Sequence, residues 1–304
     1  MTTAETPNGG RVLMAADGSE ADAATAALAA HEARLRSWAL HVVHVLPWPI
    51  AASIRTTLPP PSSALHQHAE QIVTDAAHHA TTAQPEVPLS REVIVGQPFT
   101  DLTAQAHQAD LTVLGSSGRG ALGSAVESVA VYLSANTTCP ILVQRGRHQP
   151  DGPVLLATDG SPDSHAATDF AFTEAALRNA PLLALHIAAP RPGPAPAGMN
   201  AMDTLLFEDP PDPDDTDAQH ATEQALAAHR ERHPHLDVTV RTQRGRVRPE
   251  LIDASNHAQL LVLGARGRGG FAGLLLGSVS QALLQHAHCP LTVIRHDHTT
   301  TQQT

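Results

Sequence analysis

The sequence contains no lysine, and all 19 of its positively charged residues are arginines. This absence excludes a Schiff-base enzyme, which needs a lysine amine, and the Walker A loop, whose lysine binds nucleotide phosphates. The 30 acidic residues leave the 304-residue chain with a net charge of −11. Because general binding to nucleic acid needs a basic face, this charge argues against it.

Long apolar runs and aromatic residues are also scarce. No apolar run reaches the roughly 18–20 residues that a transmembrane helix needs, so we expect no membrane partner. The N-terminal MTTAETPNGG lacks the basic region and the apolar stretch of a secretion signal, which predicts a cytoplasmic protein. Aromatic residues account for only 3% of the chain, so the core must be built from Ala, Val, Leu and Ile.

The chain has two cysteines, Cys139 and Cys289, which lie 150 residues apart. Each precedes a proline and a short apolar strand, in CPILVQR and CPLTVIR, so the two cysteines look like one position repeated. We therefore predict two buried thiols and not a disulfide.

An internal repeat organises the whole chain. RVLMAADGSEADAATAAL, from Arg11, corresponds to PVLLATDGSPDSHAATDF, from Pro153: each is an apolar strand, then Asp-Gly-Ser, then an Ala-rich helical pattern. HVVHV (41–45) corresponds to ALHI (184–187), and ADLTVLGSSGRG corresponds to AQLLVLGARGRG. Together with the spacing of the cysteines, these pairs predict a domain duplicated in tandem.

Each copy reads as strand, helix, strand, long loop, helix, strand, helix, strand, helix and strand. The fold class is therefore α/β: two tandem, open, doubly wound, parallel five-stranded sheets with helices on both faces. We predict domains at 1–146 and 153–296, a linker at 147–152 and a flexible tail at 297–304. The proline-rich and acidic stretch Pro190–Asp217 is expected to be a mobile loop or lid without a regular element.

A glycine-rich turn in the C-terminal copy predicts phosphate binding. In open α/β sheets, ligands bind beyond the carboxyl ends of the strands. The segments at Asp159, at Arg244–Arg248 and at Gly264–Ser278 all follow strands in this way. Glycines let backbone amides approach a ligand, and the following helix offers unpaired N–H groups and the positive end of its dipole. The arginines at 241–248 either recognise phosphate or form a solvated edge.

The turn has the spacing G-x2-G-x9-G-S, formed by Gly264, Gly267, Gly277 and Ser278. This spacing resembles the ATP-binding signature of the universal stress protein family. The Asp-Gly-Ser after the first strand, the His in the second strand and the final Cys-Pro strand are also similar to that family in both copies. The resemblance implies ATP as the ligand, with Mg²⁺ or Mn²⁺. It also implies that the two domains pair through their final strands and that the protein can form a homodimer.

The resemblance implies roles for particular residues of the C-terminal copy. Asp159 is expected to hydrogen-bond the adenosine, and Ile187 to contact the adenine through its backbone. Gly264 and Gly267 would line the turn around the ribose and phosphates. The other residues expected on this turn or at the phosphates are Arg266, Arg268, Gly277, Ser278 and Ser280. The corresponding positions in the N-terminal copy are Asp17, Val45, Gly115, Gly118 and Ser128.

The N-terminal copy carries a damaged form of this motif. Counted back from the Cys-Pro pair, Glu127 aligns with Gly277 and Ser128 with Ser278. The Cβ atom of Glu127 is expected to crowd a phosphate, and its carboxylate to repel one. A different alignment, through Gly123 and Ser124, places the Gly-Ser pair four residues too early. Where the C-terminal copy has Arg246, Arg248 and Arg266, the N-terminal copy has Gln97, Phe99 and Ser117. We therefore predict one competent nucleotide site, in the C-terminal half.

Simpler interpretations apply to some of these residues. Asp17 and Asp159 can each be the N-cap of the helix that follows, although Asp159 is equally well placed to bind a ligand. His44 and His186 are interpreted as core histidines with a backbone partner. The 20 histidines are scattered along the sequence and predict no metal cluster.

These observations favour a cytoplasmic stress-response regulator that binds ATP and is not an enzyme. One alternative is a slow ATP hydrolase or an ATP pyrophosphatase, because the segment 159–164 is faintly similar to the SGG-x-DS loop of the pyrophosphatases. That segment lacks the tandem glycines, and the sequence shows no nucleophile–base pair. Another alternative is a nucleotide-free scaffold for protein interactions, which is the role we expect for the N-terminal half.

Overall fold

The computed structural model describes residues 9–47, 63–116, 123–147, 149–161, 164–188, 213–267 and 276–295. The elements of the N-terminal half are β1 (Arg11–Ala15), α1 (Asp22–Arg36), β2 (Ala39–Pro47), α2 (Ser63–Ala83), β3 (Leu89–Gly96), α3 (Pro98–Ala106), β4 (Leu111–Gly115), α4 (Gly123–Asn136) and β5 (Ile141–Gln144). The elements of the C-terminal half are β6 (Val154–Ala157), α5 (His165–Arg178), β7 (Leu182–Ala188), α6 (Pro213–Arg232), β8 (Val238–Arg244), α7 (Val247–Ala254), β9 (Leu260–Gly264), α8 (Ser278–His286) and β10 (Leu291–Ile294).

The ten strands form one sheet in the order β3-β2-β1-β4-β5-β10-β9-β6-β7-β8. Within each half the strands pair in parallel, and each half has the same internal order. The halves join where β5 and β10 pair antiparallel, with Val143 opposite Leu291 and Ile141 opposite Val293. The predicted α/β class with two parallel five-stranded units is therefore confirmed.

Strand residues alternate between two apolar layers, one on each face of the sheet. Val12 and Leu156 belong to the layer beneath α1 and α5, whereas Leu13 and Leu155 belong to the layer on the opposite face. This alternation follows from the two-residue period of a strand. Each layer contains residues of both halves, so the core is continuous across the β5–β10 junction.

Helices α1 and α5 meet across the junction through four buried ionised side chains. Arg36 pairs with Glu32 on its own helix and with Glu174 on α5, and Arg178 pairs with Glu174 and with Glu32. Each side chain is at most 7% exposed. Burial raises the pKa of Glu174, and the charges of Arg178 and Arg36 act against that rise. We refer to these four residues as the interdomain ion cluster.

Both cysteines are free and buried, as predicted. Burial raises the pKa of Cys139 to about 11 and that of Cys289 to about 12. Because the thiolate is the reactive form, neither thiol is a nucleophile at neutral pH.

The prediction that Pro190–Asp217 has no regular element is wrong for its last part, because α6 begins at Pro213. Proline is well suited to the first helical position, where its missing N–H has no intrahelical partner to lose. Residues 190–212 lie outside the described part of the chain, as does the predicted tail at 297–304. None of the described helices is long and apolar enough to cross a membrane.

Candidate functional site

A cavity of about 520 Å³ lies at the carboxyl ends of β6, β7 and β9, beside α7 and α8. This volume falls in the range of about 300–1,000 Å³ that is usual for small-molecule sites. Its apolar lining residues are Ala157, Leu185, Ile187, Val247, Leu251, Leu263, Leu276 and Val279. Its other lining residues are Thr158, Asp159, Ser164, Gly264, Arg266, Gly267, Gly277, Ser278 and Ser280.

Of the nine site residues predicted for the C-terminal copy, eight line this cavity. The ninth, Arg268, is not among the described residues. The structure therefore places the Asp-Gly-Ser segment, the end of β7 and the start of α8 around one space. The cavity also contains features that the sequence did not predict: an apolar wall on α7, formed by Val247 and Leu251, and the hydroxyl groups of Thr158 and Ser164.

The Asp-Gly-Ser segments are tight turns and not helix caps. The N–H of Ser161 donates to Asp159 Oδ1 at 2.9 Å, and Gly160 has a φ of +68°. Such a positive φ is easy for glycine and strained for most other residues. Helix α5 begins later, with Ser164 at its N-cap, so the interpretation of Asp159 as an N-cap is wrong.

The N-terminal copy has the same turn. The N–H of Ser19 donates to Asp17 Oδ1 at 2.9 Å, and Gly18 has a φ of +79°. The N-cap of α1 is Ala21, so the N-cap interpretation is also wrong for Asp17. In both copies the aspartate closes a two-residue turn through its own carboxylate.

The turn that follows β9 approaches Asp159 closely. A Cβ atom added at Gly267 would lie 2.8 Å from Asp159 Oδ2, so this approach depends on the glycine. Arg266 is exposed at the rim of the cavity. The geometry thus brings one carboxylate and one guanidinium to the same opening.

The N-terminus of α8 faces the cavity. Gly277 is its N-cap, and within the described residues no side-chain hydrogen bond caps this end of the helix. The N–H of Gly277 itself donates to the carbonyl of Ala265 at 2.9 Å. The amides that α8 can offer a ligand are therefore those of its first turn, starting at Ser278, because they have no intrahelical acceptor. Gly277, which is expected on this turn or at the phosphates, lines the cavity but does not offer its amide to a phosphate in this conformation.

Ser280 is predicted to hold phosphate, but in the structure its hydroxyl connects α8 to β9. It donates to the carbonyl of Gly264 at 2.9 Å and lies 3.3 Å from the carbonyl oxygen of Ala265. A hydroxyl has one proton, so Ser280 cannot donate to a ligand while it makes this bond. Its observed role is to hold the start of α8 against the end of β9.

The histidines in the second strand of each copy have the predicted role. His44 Nδ1 lies 2.8 Å from the carbonyl oxygen of Ala16, and His186 Nδ1 lies 3.1 Å from that of Thr158. Each ring connects the second strand of its domain to the residue that follows the first strand. The described residues contain no group of three or more His, Cys, Asp or Glu side chains that could hold a metal ion.

The arginines before α7 do not face the cavity. Arg246 and Arg248 are exposed, and among the described lining residues this turn contributes Val247. The structure thus favours the interpretation of these two arginines as a solvated edge.

The N-terminal copy departs from the C-terminal one at its last helix. Helix α4 begins at Gly123, whereas α8 begins at Ser278, the counterpart of Ser128. Glu127 and Ser128 therefore lie inside α4, where each amide normally bonds to the carbonyl four residues earlier. The alternative alignment through Gly123 and Ser124 therefore matches the start of the helix, and the prediction that this pair lies four residues too early is wrong.

Two of the other positions predicted for the N-terminal copy are described by the structure. Val45 is buried in the core, and a Cβ atom at Gly115 would lie 2.9 Å from Thr25 Oγ1 on α1. Gly118 and the side chain of Ser128 lie outside the described residues.

A family model described as the universal stress protein family matches residues 10–145 and 152–295. Universal stress proteins of Mycobacterium tuberculosis and Mycobacterium bovis are each 34% identical to the chain over 302 residues, covering 93% of this chain and 96% of each relative. One from Mycolicibacterium smegmatis is 33% identical over 304 residues, with the same coverage.

The crystal structure of a universal stress protein from Archaeoglobus fulgidus has the same fold, with a TM-score of 0.66 over 95% of this chain and 97% of that chain. At 15% sequence identity, this likeness concerns the fold alone. Since the family model matches twice in tandem and the relatives align over nearly the whole chain, the protein belongs to the universal stress protein family of stress-response proteins, as a member with two domains.

Proposed function

We propose that this protein is a stress-response regulator that binds ATP in its C-terminal domain. The observation that carries the proposal is the cavity itself: an apolar space that ends at the N-terminus of α8, which no side chain in the described part of the chain caps. A nucleotide combines an apolar, flat base with an anionic phosphate chain, and this cavity offers a suitable surface for each.

The two ends of the cavity suggest how ATP lies in it. The adenine would lie against the apolar wall that includes Ile187, Val247 and Leu251. The phosphates would lie at the first turn of α8, where free amides and the helix dipole favour an anion. Arg266 stands at the same rim and would add a positive charge. Asp159 would accept hydrogen bonds from the adenosine.

A Mg²⁺ or Mn²⁺ ion that accompanies ATP would be carried by the phosphates in this proposal. Because hydroxyl oxygens are suitable ligands for hard cations, Ser278 at the start of α8 is the side chain best placed to complete its coordination. We propose binding of ATP, and not its turnover, as the function of this site.

The N-terminal domain is proposed to be a nucleotide-free pairing partner. This second role is favoured by α4, which begins at Gly123 and places Glu127 and Ser128 within a helix. The cradle that the first turn of α8 would offer a phosphate therefore has no counterpart at the aligned position.

Substitutions at Gly277 test the proposed site. Its φ of −68° is open to any residue, and an added Cβ atom would lie 3.3 Å from the carbonyl oxygen of Ala265. That contact is tight but is relieved by a shift of a few tenths of an ångström, so Gly277→Ala should keep the fold and most of the affinity for ATP. Gly277→Glu should lower the affinity by up to about three decades, because two like charges about 4 Å apart cost on the order of 4 kcal/mol at an effective dielectric near 20.

The measurement is the nucleotide content of the purified protein, released by denaturation and counted per chain by chromatography. We expect about one ATP per chain in the wild type and in Gly277→Ala, and almost none in Gly277→Glu. A wild type that carries no nucleotide, and takes up none when ATP and Mg²⁺ are added, would refute the proposal.

A further inference from the structure

The Asp-Gly-Ser turn uses a different hydrogen-bond acceptor in each domain for the same backbone amide. In the N-terminal domain the N–H of Gly18 donates to Asp22 Oδ2 at 2.8 Å, and the N–H of Asp17 lies 3.2 Å from the same oxygen. In the C-terminal domain the N–H of Gly160, the counterpart of Gly18, donates to Thr158 Oγ1 at 3.1 Å. A carboxylate in one domain thus does what a hydroxyl does in the other.

The exchange involves two positions of the repeat. Ala16 stands where the C-terminal domain has Thr158, and Asp22 stands where it has Ser164. The hydroxyl of Ser164 donates to the carbonyl of Ser161 at 2.6 Å and lies 3.4 Å from Thr158 Oγ1. The C-terminal domain therefore satisfies its turn with two neutral groups, and the N-terminal domain satisfies the same turn with one acid.

This difference falls at the candidate site. Thr158 and Ser164 both line the cavity of the C-terminal domain, next to Asp159. Their counterparts hold corresponding places beside Asp17, and Asp22 is only 8% exposed. Burial raises the pKa of Asp22 to about 7; the nearby Asp17 contributes to the rise, and the amide of Gly18 opposes it. The N-terminal domain thus has a buried acid beside Asp17 at the position where the C-terminal domain has Ser164 beside Asp159.

We propose that the pair at these two positions decides which domain accepts a nucleotide. At these two positions Thr158 and Ser164 offer neutral hydroxyls beside Asp159, the acid among the described lining residues of the C-terminal cavity. Asp22, accompanied by Ala16, places a carboxylate at the corresponding point of the N-terminal domain and excludes a polyanionic ligand. Because burial raises the pKa of Asp22 to about 7, the repulsion between its carboxylate and a phosphate chain operates above that pH, where the group is ionised, and it is strong there because the site is partly desolvated. This inference rests on the proposed binding of ATP.

The N-terminal domain folds with alanine and aspartate at these two positions, so the same two residues can be introduced into the C-terminal domain without loss of the fold. A double variant, Thr158→Ala with Ser164→Asp, reproduces in the C-terminal domain the combination that the N-terminal domain carries. The new carboxylate can accept the amide of Gly160 in place of Thr158, as Asp22 accepts that of Gly18. A control variant, Thr158→Ala with Ser164→Asn, has the same shape and an oxygen acceptor but no charge.

The test is calorimetric titration of the full-length chain with ATP and Mg²⁺ at about pH 8.5, where a carboxyl with a pKa of about 7 is ionised, together with the melting temperature of each variant. We expect the Asp variant to bind ATP at least tenfold more weakly than the Asn control, while both variants melt as cooperatively as the wild type. An Asp variant that binds as well as the control would overturn the inference and leave the proposed function standing.

Three other results also decide the matter. Equal losses in both variants would mean that the hydroxyls and not the charge matter, which overturns the inference. An Asp variant that does not fold would show that the two turns are not equivalent, which removes its premise. A wild type that does not bind ATP would refute the proposed function, and the inference with it.

Discussion

At the scale of single residues, Asp22 is unusual because a buried carboxylate supports a backbone turn. Its carboxylate accepts hydrogen bonds from the N–H groups of Gly18 and Asp17. Burial nevertheless raises its pKa to about 7 from an ordinary value of 3.8. In the folded protein the carboxyl therefore holds its proton at pH values where the unfolded chain has released it. Its contribution to stability is complete below pH 4 and is lost as the pH rises through 7.

Asp22→Asn should therefore change how stability depends on pH. The unfolding free energy of the variant minus that of the wild type should rise between pH 5 and pH 8 by about 2.7 kcal/mol, because about two of the three shifted pKa units lie between pH 5 and pH 7. Urea unfolding at the two pH values measures this difference, and the pH-independent effect of the substitution cancels in it. A difference that stays constant over this range would contradict the assignment of a raised pKa.

At the scale of elements, the two domains differ in the position at which their last helix begins. Helix α4 begins five residues before the position that aligns with the start of α8. With a rise of 1.5 Å per residue, this moves the helix N-terminus by about 7.5 Å. The free amides and the positive end of the dipole move with it. The proposed phosphate site at the start of α8 thus lacks a counterpart in the N-terminal domain because the length of the helix differs, and not only because Glu127 replaces a glycine.

The interdomain ion cluster makes a prediction about α1 and α5. Removing one partner leaves the others with an unbalanced buried charge, so Arg178→Leu should destabilise the protein by about 3–5 kcal/mol. The double variant Glu174→Leu with Arg178→Leu removes one acid and one base, and it should cost less than the sum of the single substitutions.

Urea unfolding of wild type, both single variants and the double variant gives the coupling energy between Glu174 and Arg178. Additive effects would show that the buried charges act independently, against this account.

At the scale of the whole molecule, the two domains are related by reciprocal contacts. Arg145, after β5, donates to the carbonyl of Gln285 on α8, and Arg295, after β10, donates to the carbonyl of Ala135 on α4. The ion cluster has the same exchange of partners between α1 and α5. Such reciprocity is typical of a symmetric dimer interface, here formed within one chain.

The sequence was sufficient for the architecture because the apolar strands and the repeat both have a clear period. The glycine spacing and the strand ends also located the cavity, since chain order determines where strands end. The sequence did not predict which groups form hydrogen bonds with each other. Nothing in the sequence indicates that Ser280 donates to Gly264 and not to a ligand, or that Asp159 closes a turn and not a helix cap. The early start of α4 at Gly123 was not predicted, because glycine is more typical of the end of a helix than of its first residue.

The central claim is that only the C-terminal domain binds ATP. Its most direct test is photo-crosslinking of the full-length chain with an azido-ATP analogue, combined with calorimetric stoichiometry and mapping of the labelled peptides. The account predicts one site per chain and labelled peptides from residues 152–295 alone. Two sites per chain, or labelled peptides from residues 10–145 that ATP competes away, would contradict it.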